Sequence, residues 1–133
     1  MKTAMIALLA WALLCMLTLG LARAQEDDGA IQLSYLMGHQ DEFHGATITV
    51  SGWVYLDFEG VCVSERAPDG TRPDPQEAVW LDFGAEVSES LAEMRPHGRM
   101  CTLRGVYDME QTGHFGMYQG TLHVEAMACD EAQ

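Results

Sequence analysis

Between residues 46 and 57, apolar and polar positions alternate. Ile48, Val50, Val54 and Leu56 share one parity with Gly52, while Thr49, Ser51, Trp53, Tyr55 and Asp57 hold the other. A period of two predicts a strand with one face in a core. Glu59-Gly60 predicts a turn into a second short strand, Val61-Cys62-Val63-Ser64, and the next stretch, "ERAPDGTRPDPQE", has three prolines and an Asp-Gly pair and predicts a loop. A third strand follows over Ala78–Phe83, with Val79, Leu81 and Phe83 opposite Trp80 and Asp82. In "GAEVSESLAEMRPHG" the apolar residues Val87, Leu91 and Met94, good helix formers and the stop at Pro96 predict a helix of about three turns. Strands over 99–109 and 121–128 complete the pattern. Upstream, Ile31, Leu33, Leu36 and Met37 predict a short helix ending near Gly38.

The order β-β-β-α-β-β in about a hundred residues predicts an all-β domain with one helix, a five-stranded OB-fold-like Greek-key barrel, here preceded by a short N-terminal helix. Gly52 and Gly105 fall where strands must coil sharply around a small barrel.

The chain's first residues change the picture of where it works. A nearly unbroken apolar run from Ala4 to Ala22 ends in Ala22-Arg23-Ala24, the small-x-small form of a signal-peptidase site, and Gln25-Glu26-Asp27-Asp28 follows at once. Residues 1–24 are expected to be a signal peptide cleaved between Ala24 and Gln25, leaving one domain over 25–133 in the periplasm or secreted. The rival is an uncleaved anchor, since the run is just long enough to span a bilayer. Cleavage would take Lys2 and Arg23 but none of the twenty acidic residues, leaving five arginines, no lysine and a formal charge of −15, against −13 for the whole chain. Such a field repels phosphate backbones, which argues against nucleic acid and against anionic lipid surfaces, and it suits a basic protein partner or simple solubility; no stable membrane insertion is expected after cleavage.

Three cysteines follow the leader, Cys62, Cys101 and Cys129, and their spacing matches no zinc site. In an exported protein they predict one disulfide and one leftover thiol, with three pairings open. Cys101–Cys129 is preferred, at the open end of the last two strands, although strand parity then requires a bulge, with Gly105 the natural place; Cys62–Cys101 comes second.

Candidate chemistry is sparse. "QTGHFGMYQG" would join the last two strands, and that loop, with the one between strands one and two, usually lines the binding face of an OB-fold. Its glycines serve the turn. Phe115, Met117 and Tyr118 either fold back as an apolar cap, or His114 and Tyr118 present polar tips beside an apolar floor built with Phe115. Trp53, Tyr55 and Trp80 on the non-core face would form an aromatic platform unless Tyr35, Leu36 and Met37 of the N-terminal segment cover them. His39, Asp41, Glu42 and His44 in "HQDEFH" have metal-binding chemistry, but histidines five apart do not share a helical face, and a solvated turn is expected. His97 and His123 add no spacing, and no catalytic triad, cofactor or metal site is nominated.

The runs "FHGATITVSGWVYLDFEG", "AVWLDF" and "RGVYDMEQTGHFGMYQGTLHVEAM" resemble a group of small exported bacterial proteins that carry a "VSGYLHLEFEG"-like first hairpin, a "WLD"-like third strand and a "GHMGLFSG"-like turn. The resemblance covers most of residues 43–127, is sharpest at Gly52–Gly60 and Gly113–Gly120, and implies the fold and export but no activity. This chain departs from it between Gly60 and Ser64, where the segment is shorter and contains Cys62.

The expected function is therefore a non-catalytic binding module of the bacterial cell envelope that holds a small ligand or a protein. The alternative is an acidic periplasmic inhibitor or immunity-type protein directed at a basic envelope-targeting enzyme or toxin, because opposite fields speed association. A metal-dependent enzyme has only the histidine content behind it.

Overall fold

The structure is a computed structural model that describes residues 29–57 and 60–131. The expected signal peptide and the tip of the first hairpin, Phe58-Glu59, lie outside the described residues. In chain order the elements are α1 (Leu33–Gly38), α2 (Gln40–Phe43), β1 (Thr47–Asp57), β2 (Gly60–Ser64), β3 (Ala78–Phe83), α3 (Ala85–Met94), β4 (Arg99–Asp108) and β5 (Thr121–Cys129). The strands close into a barrel in the order β1-β2-β3-β5-β4, antiparallel throughout except for the parallel pair β3–β5, with α3 as the crossover between β3 and β4. This is the OB-fold expected from the element order.

The alternation along the strands fills the barrel. Ile48, Val50 and Val54 of β1, Val63 of β2, Val79 and Leu81 of β3, Leu103 and Tyr107 of β4, and Leu122 and Val124 of β5 are all buried in one cluster. Leu33 and Leu36 of α1 are fully buried and join that core, tied down by a bridge from Ile31 to Val50. Gly52 makes room for them, since a Cβ there would come within 2.9 Å of Leu33 Cδ1 and 2.7 Å of Val63 Cγ2. The apolar stripe of α1 is thus spent inside the barrel. It does not lie over the aromatic rings of the outer face.

Gly105 is required by close approach. The β4–β5 register shifts between Arg104 and Gly105, and a Cβ on Gly105 would stand 2.1 Å from the His123 carbonyl oxygen. This bulge resets the strand parity and brings Cys101 directly opposite Cys129, where the two form the disulfide with a Cα–Cα distance of 3.9 Å. Among the described residues Cys62 is the free cysteine, and it is buried.

One expected turn is corrected. Residues 40–43 of "HQDEFH" form the single-turn helix α2, opening with the His39 carbonyl and closing with a bond from His44 N–H to the Gln40 carbonyl. Asp41 and Glu42 lie in its first turn, where the helix dipole favours them. Among the described residues no helix is long and apolar enough to cross a membrane.

Candidate functional site

The loop between β4 and β5 is built on polar anchors. Tyr118 N–H donates to the Thr112 carbonyl (2.9 Å) and Gln119 N–H to the Ala78 carbonyl (3.1 Å). Tyr107 Oη, from inside the barrel, donates to the Gln119 carbonyl at 2.7 Å. A chain of amides crosses the loop's base: Gln40 Nε2 donates to Gln119 Oε1 (2.8 Å), Gln119 Nε2 to Gln76 Oε1 (2.9 Å), and Gln76 Nε2 to the Met117 carbonyl (2.6 Å). These bonds tie the base of the loop to α2 and to the β2–β3 loop.

The tip lies on Trp80 because Gly113 permits it. With φ +71, Gly113 sits so close that a Cβ would meet the Trp80 side chain at 2.8–2.9 Å. His114 then stacks over Trp80 with an interplanar angle of 17° and a centroid distance of 6.3 Å, and Phe115 packs on His114 at 4.0 Å. Phe115 takes φ +56, a left-handed conformation that costs an ordinary side chain about 1 kcal/mol or more. Its ring is 85% exposed, and its neighbour Met117 is 48% exposed. Beside the stack lies a cavity of about 390 Å³ lined by Trp80, Asp82, Thr112, Gly113, His114 and Thr121 among others.

The expected apolar cap is therefore only half made. Phe115 and Met117 do not fold back; Tyr118 does. Tyr118 is 6% exposed and belongs to a second small core with Tyr55, Cys62 and Ala78 on the outer face of β1–β2–β3. Its hydroxyl points at Gly60, where a Cβ would stand 2.7 Å away, and burial raises its pKa. The reading of Tyr118 as an outward polar tip is corrected accordingly.

Tyr55 is likewise corrected from platform to core. It is 5% exposed, its hydroxyl donates to the Arg66 carbonyl at 2.6 Å, and its pKa is raised first by burial and then by Asp69. Its cover is the β2–β3 loop, which the sequence gives no reason to fold so tightly. Arg66 pairs with Asp69, whose carboxylate also accepts from the Thr71 hydroxyl (2.5 Å) and N–H (2.9 Å); those Thr71 bonds, then Arg66, hold Asp69 well below the usual carboxylate range. Arg72 pairs with Asp57, Pro73 is buried, and Asp74 caps the short helix Pro75–Glu77. Trp53 and Trp80 remain half-buried on the two flanks of this second core. Trp53 borders a separate cavity of about 390 Å³ with Arg95, His97, Arg99 and Met100. Arg99 is committed there to backbone, donating to the Met94 (2.6 Å) and Asp130 carbonyls.

Of the six nominated residues, the structure brings Trp80, His114, Phe115 and Tyr118 together. Tyr55 supports them from the core, and Trp53 stands apart. His39 bonds the Tyr35 carbonyl (2.9 Å) and stacks on the Tyr35 ring at 4.0 Å. His44 turns instead toward β4, where its Nδ1 accepts from Met109 N–H at 3.1 Å. A further polar group lies outside these six: Asp82, His123 and Asp108 meet on the outer face. Each carries the outward parity of its strand, but their meeting depends on a parallel register that one strand alone does not reveal.

No protein-family model and no curated protein matches the sequence. Solved structures do. "OBody AM3L09 bound to hen egg-white lysozyme" matches at 18% identity over 66% of this chain and 84% of that one, with a TM-score of 0.45. "OBody AM1L10 bound to hen egg-white lysozyme" matches at 18% identity over 68% and 85%, with a TM-score of 0.45. Asparaginyl-tRNA synthetase from Pyrococcus horikoshii matches at 19% identity and a TM-score of 0.42, over 69% of this chain but only 21% of the synthetase.

Proposed function

We propose that this chain is an exported, non-catalytic binding module of the bacterial cell envelope, and that the β4–β5 loop is its contact with a protein partner. The observation that carries the proposal is Phe115: a large apolar ring, 85% exposed, on a left-handed backbone, at the tip of a loop braced by a chain of amides. An aromatic residue held open at a local conformational cost suits a pre-organised anchor, which loses little entropy on binding. Met117 extends the apolar surface, and the Trp80–His114 stack gives it a firm floor. A leader of signal-peptide form at residues 1–24 and an intramolecular disulfide both suit an oxidising compartment.

The acidic charge favours a second, narrower reading within this one, in which the partner is a basic enzyme or toxin and the bound complex is inhibited. The purified protein and its Phe115→Ser variant, immobilised in parallel and exposed to envelope extract at low and high salt, test both. The proposal expects a stoichiometric partner retained by the wild type and lost by the variant; equal retention by both would refute the role of the loop. Loss of the partner's own activity on binding, together with release at high salt, is expected of the inhibitor reading, and full activity in the complex would remove it.

A further inference from the structure

The cavity of about 390 Å³ beside Trp53 shares no residue with the β4–β5 loop. Its base is a row of three backbones. Trp53 of β1 is the register partner of Met100 of β4, and Asp130, just past β5, donates its N–H to the Met100 carbonyl at 2.9 Å. Glu131 follows Asp130, and the turn Arg95-Pro96-His97-Gly98, which leads from α3 into β4, adjoins the row. A cavity of this size takes a small molecule.

The turn is fixed to β1. Gly98 N–H donates to the Val54 carbonyl at 2.8 Å, Leu56 N–H donates to His97 Nδ1 at 2.8 Å, and Pro96 is buried. With Nδ1 accepting, the ring proton of neutral His97 sits on Nε2, which is left as a donor. Tyr55 meets the same ring edge-on, with centroids 6.2 Å apart. At the head of the turn Arg95 takes φ +45 and ψ +61, the left-handed conformation that closes many helices and that glycine usually supplies. Here it carries a long cationic side chain instead, an outlier of the kind that gathers at ligand sites. Among the described residues Arg66 and Arg72 pair with carboxylates, whereas Arg95 has no ion pair and Arg99 bonds only the Met94 and Asp130 carbonyls. The cavity therefore presents two cations that no carboxylate neutralises, together with the exposed acids Asp130 and Glu131.

We propose that this cavity binds a small zwitterion with a flat apolar body, of the class of an aromatic α-amino acid. The Arg95 guanidinium and His97 Nε2–H hold its carboxylate, and the acids of the chain's last described residues take its ammonium group. Its ring lies against the half-buried Trp53 indole and the Met100 thioether, two surfaces that favour an aromatic partner. A ligand with one charge would satisfy half of the site and face the opposite half unpaired. A purely anionic one would also meet the negative field of the whole chain.

Titration of the protein with L-phenylalanine, followed by NMR at the indole N–H groups, tests the site. Phenylalanine amide, which lacks the carboxylate, and N-acetylphenylalanine, which lacks the ammonium, are titrated beside it. The expected result is a saturable shift at Trp53 but not at Trp80, with a Kd for phenylalanine below about 1 mM and at least about 10-fold weaker binding of each derivative. Arg95→Gly keeps the left-handed turn with a residue suited to it, so its melting temperature should hold or rise. The same variant should bind phenylalanine at least about 10-fold more weakly and no longer prefer it to the amide. No shift at Trp53 up to about 10 mM phenylalanine, shifts confined to Trp80, or unchanged affinity in folded Arg95→Gly would each overturn the proposal.

Discussion

Reducing the Cys101–Cys129 disulfide removes one covalent constraint and deletes no side chain, so its main effect is calculable from the chain alone. The bond closes a loop with a sequence separation of 28. Loop-closure entropy for that length comes to about 3.5 kcal/mol at 25 °C. A domain of about 100 residues unfolds with an entropy near 0.2 kcal/mol/K, so this loss should lower the melting temperature by about 15–20 °C. The two cysteines face each other at the end of the β4–β5 pair, where β5 ends, and Asp130 just beyond bonds through its N–H and carbonyl to Met100 and Arg99. Thermal melts by circular dichroism, with and without a phosphine reductant, give the comparison, and mass spectrometry after alkylation confirms the state of the thiols. A fall of less than about 5 °C on verified reduction would refute the reasoning, since it would mean that the denatured chain gains almost no freedom when the loop opens.

Four further outcomes follow from individual residues. Gly105→Ala puts a Cβ 2.1 Å from the His123 carbonyl oxygen, a backbone atom that cannot step aside; urea unfolding should show a loss of about 3 kcal/mol or more, and a loss below 1 kcal/mol would contradict the bulge. The Cys62 thiol is pushed up to about 12 by burial and then by Asp57, so Cys62 in native protein at pH 8 should resist a disulfide-exchange reagent and react only on unfolding. Because the folded chain keeps that proton after the unfolded chain has released it, the stability it contributes is present below about pH 9 and is lost as pH rises from about 9 to 12; Tyr107, also raised to about 12 by burial, adds a loss of the same sign above about pH 10, and constant stability across that range would refute both. Phe115→Gly relieves a left-handed backbone at φ +56 while removing an exposed ring, so the melting temperature should hold or rise, and a fall of several degrees would mean that the ring is packed in solution.

The barrel was legible in the sequence because its strands keep one face dry. Alternation at Ile48, Val50, Val54, Val79, Leu81 and Leu103 marks the interior, the helix formers at 85–94 mark the crossover, and the parity conflict between Cys101 and Cys129 demands the bulge found at Gly105. The outer face was less legible, since outward parity does not distinguish water from a covering loop. Tyr55 and Tyr118 have the pattern of surface residues and are buried by a proline-rich segment whose order depends on the Arg66–Asp69–Thr71 and Arg72–Asp57 contacts, which no period encodes. Phe115 was legible as a member of the loop but not as its exposed tip, because that follows from Gly113 resting on the Trp80 ring. The Asp82–His123–Asp108 group depends on register between strands far apart in sequence.

The most direct test of the central claim is calorimetric titration of the isolated partner with wild-type protein and with Phe115→Ala. A buried aromatic anchor contributes about 2 kcal/mol or more, so the variant should bind about 30-fold more weakly or worse at an unchanged melting temperature. Affinities within about threefold of each other would contradict the account and move the binding surface away from the β4–β5 loop.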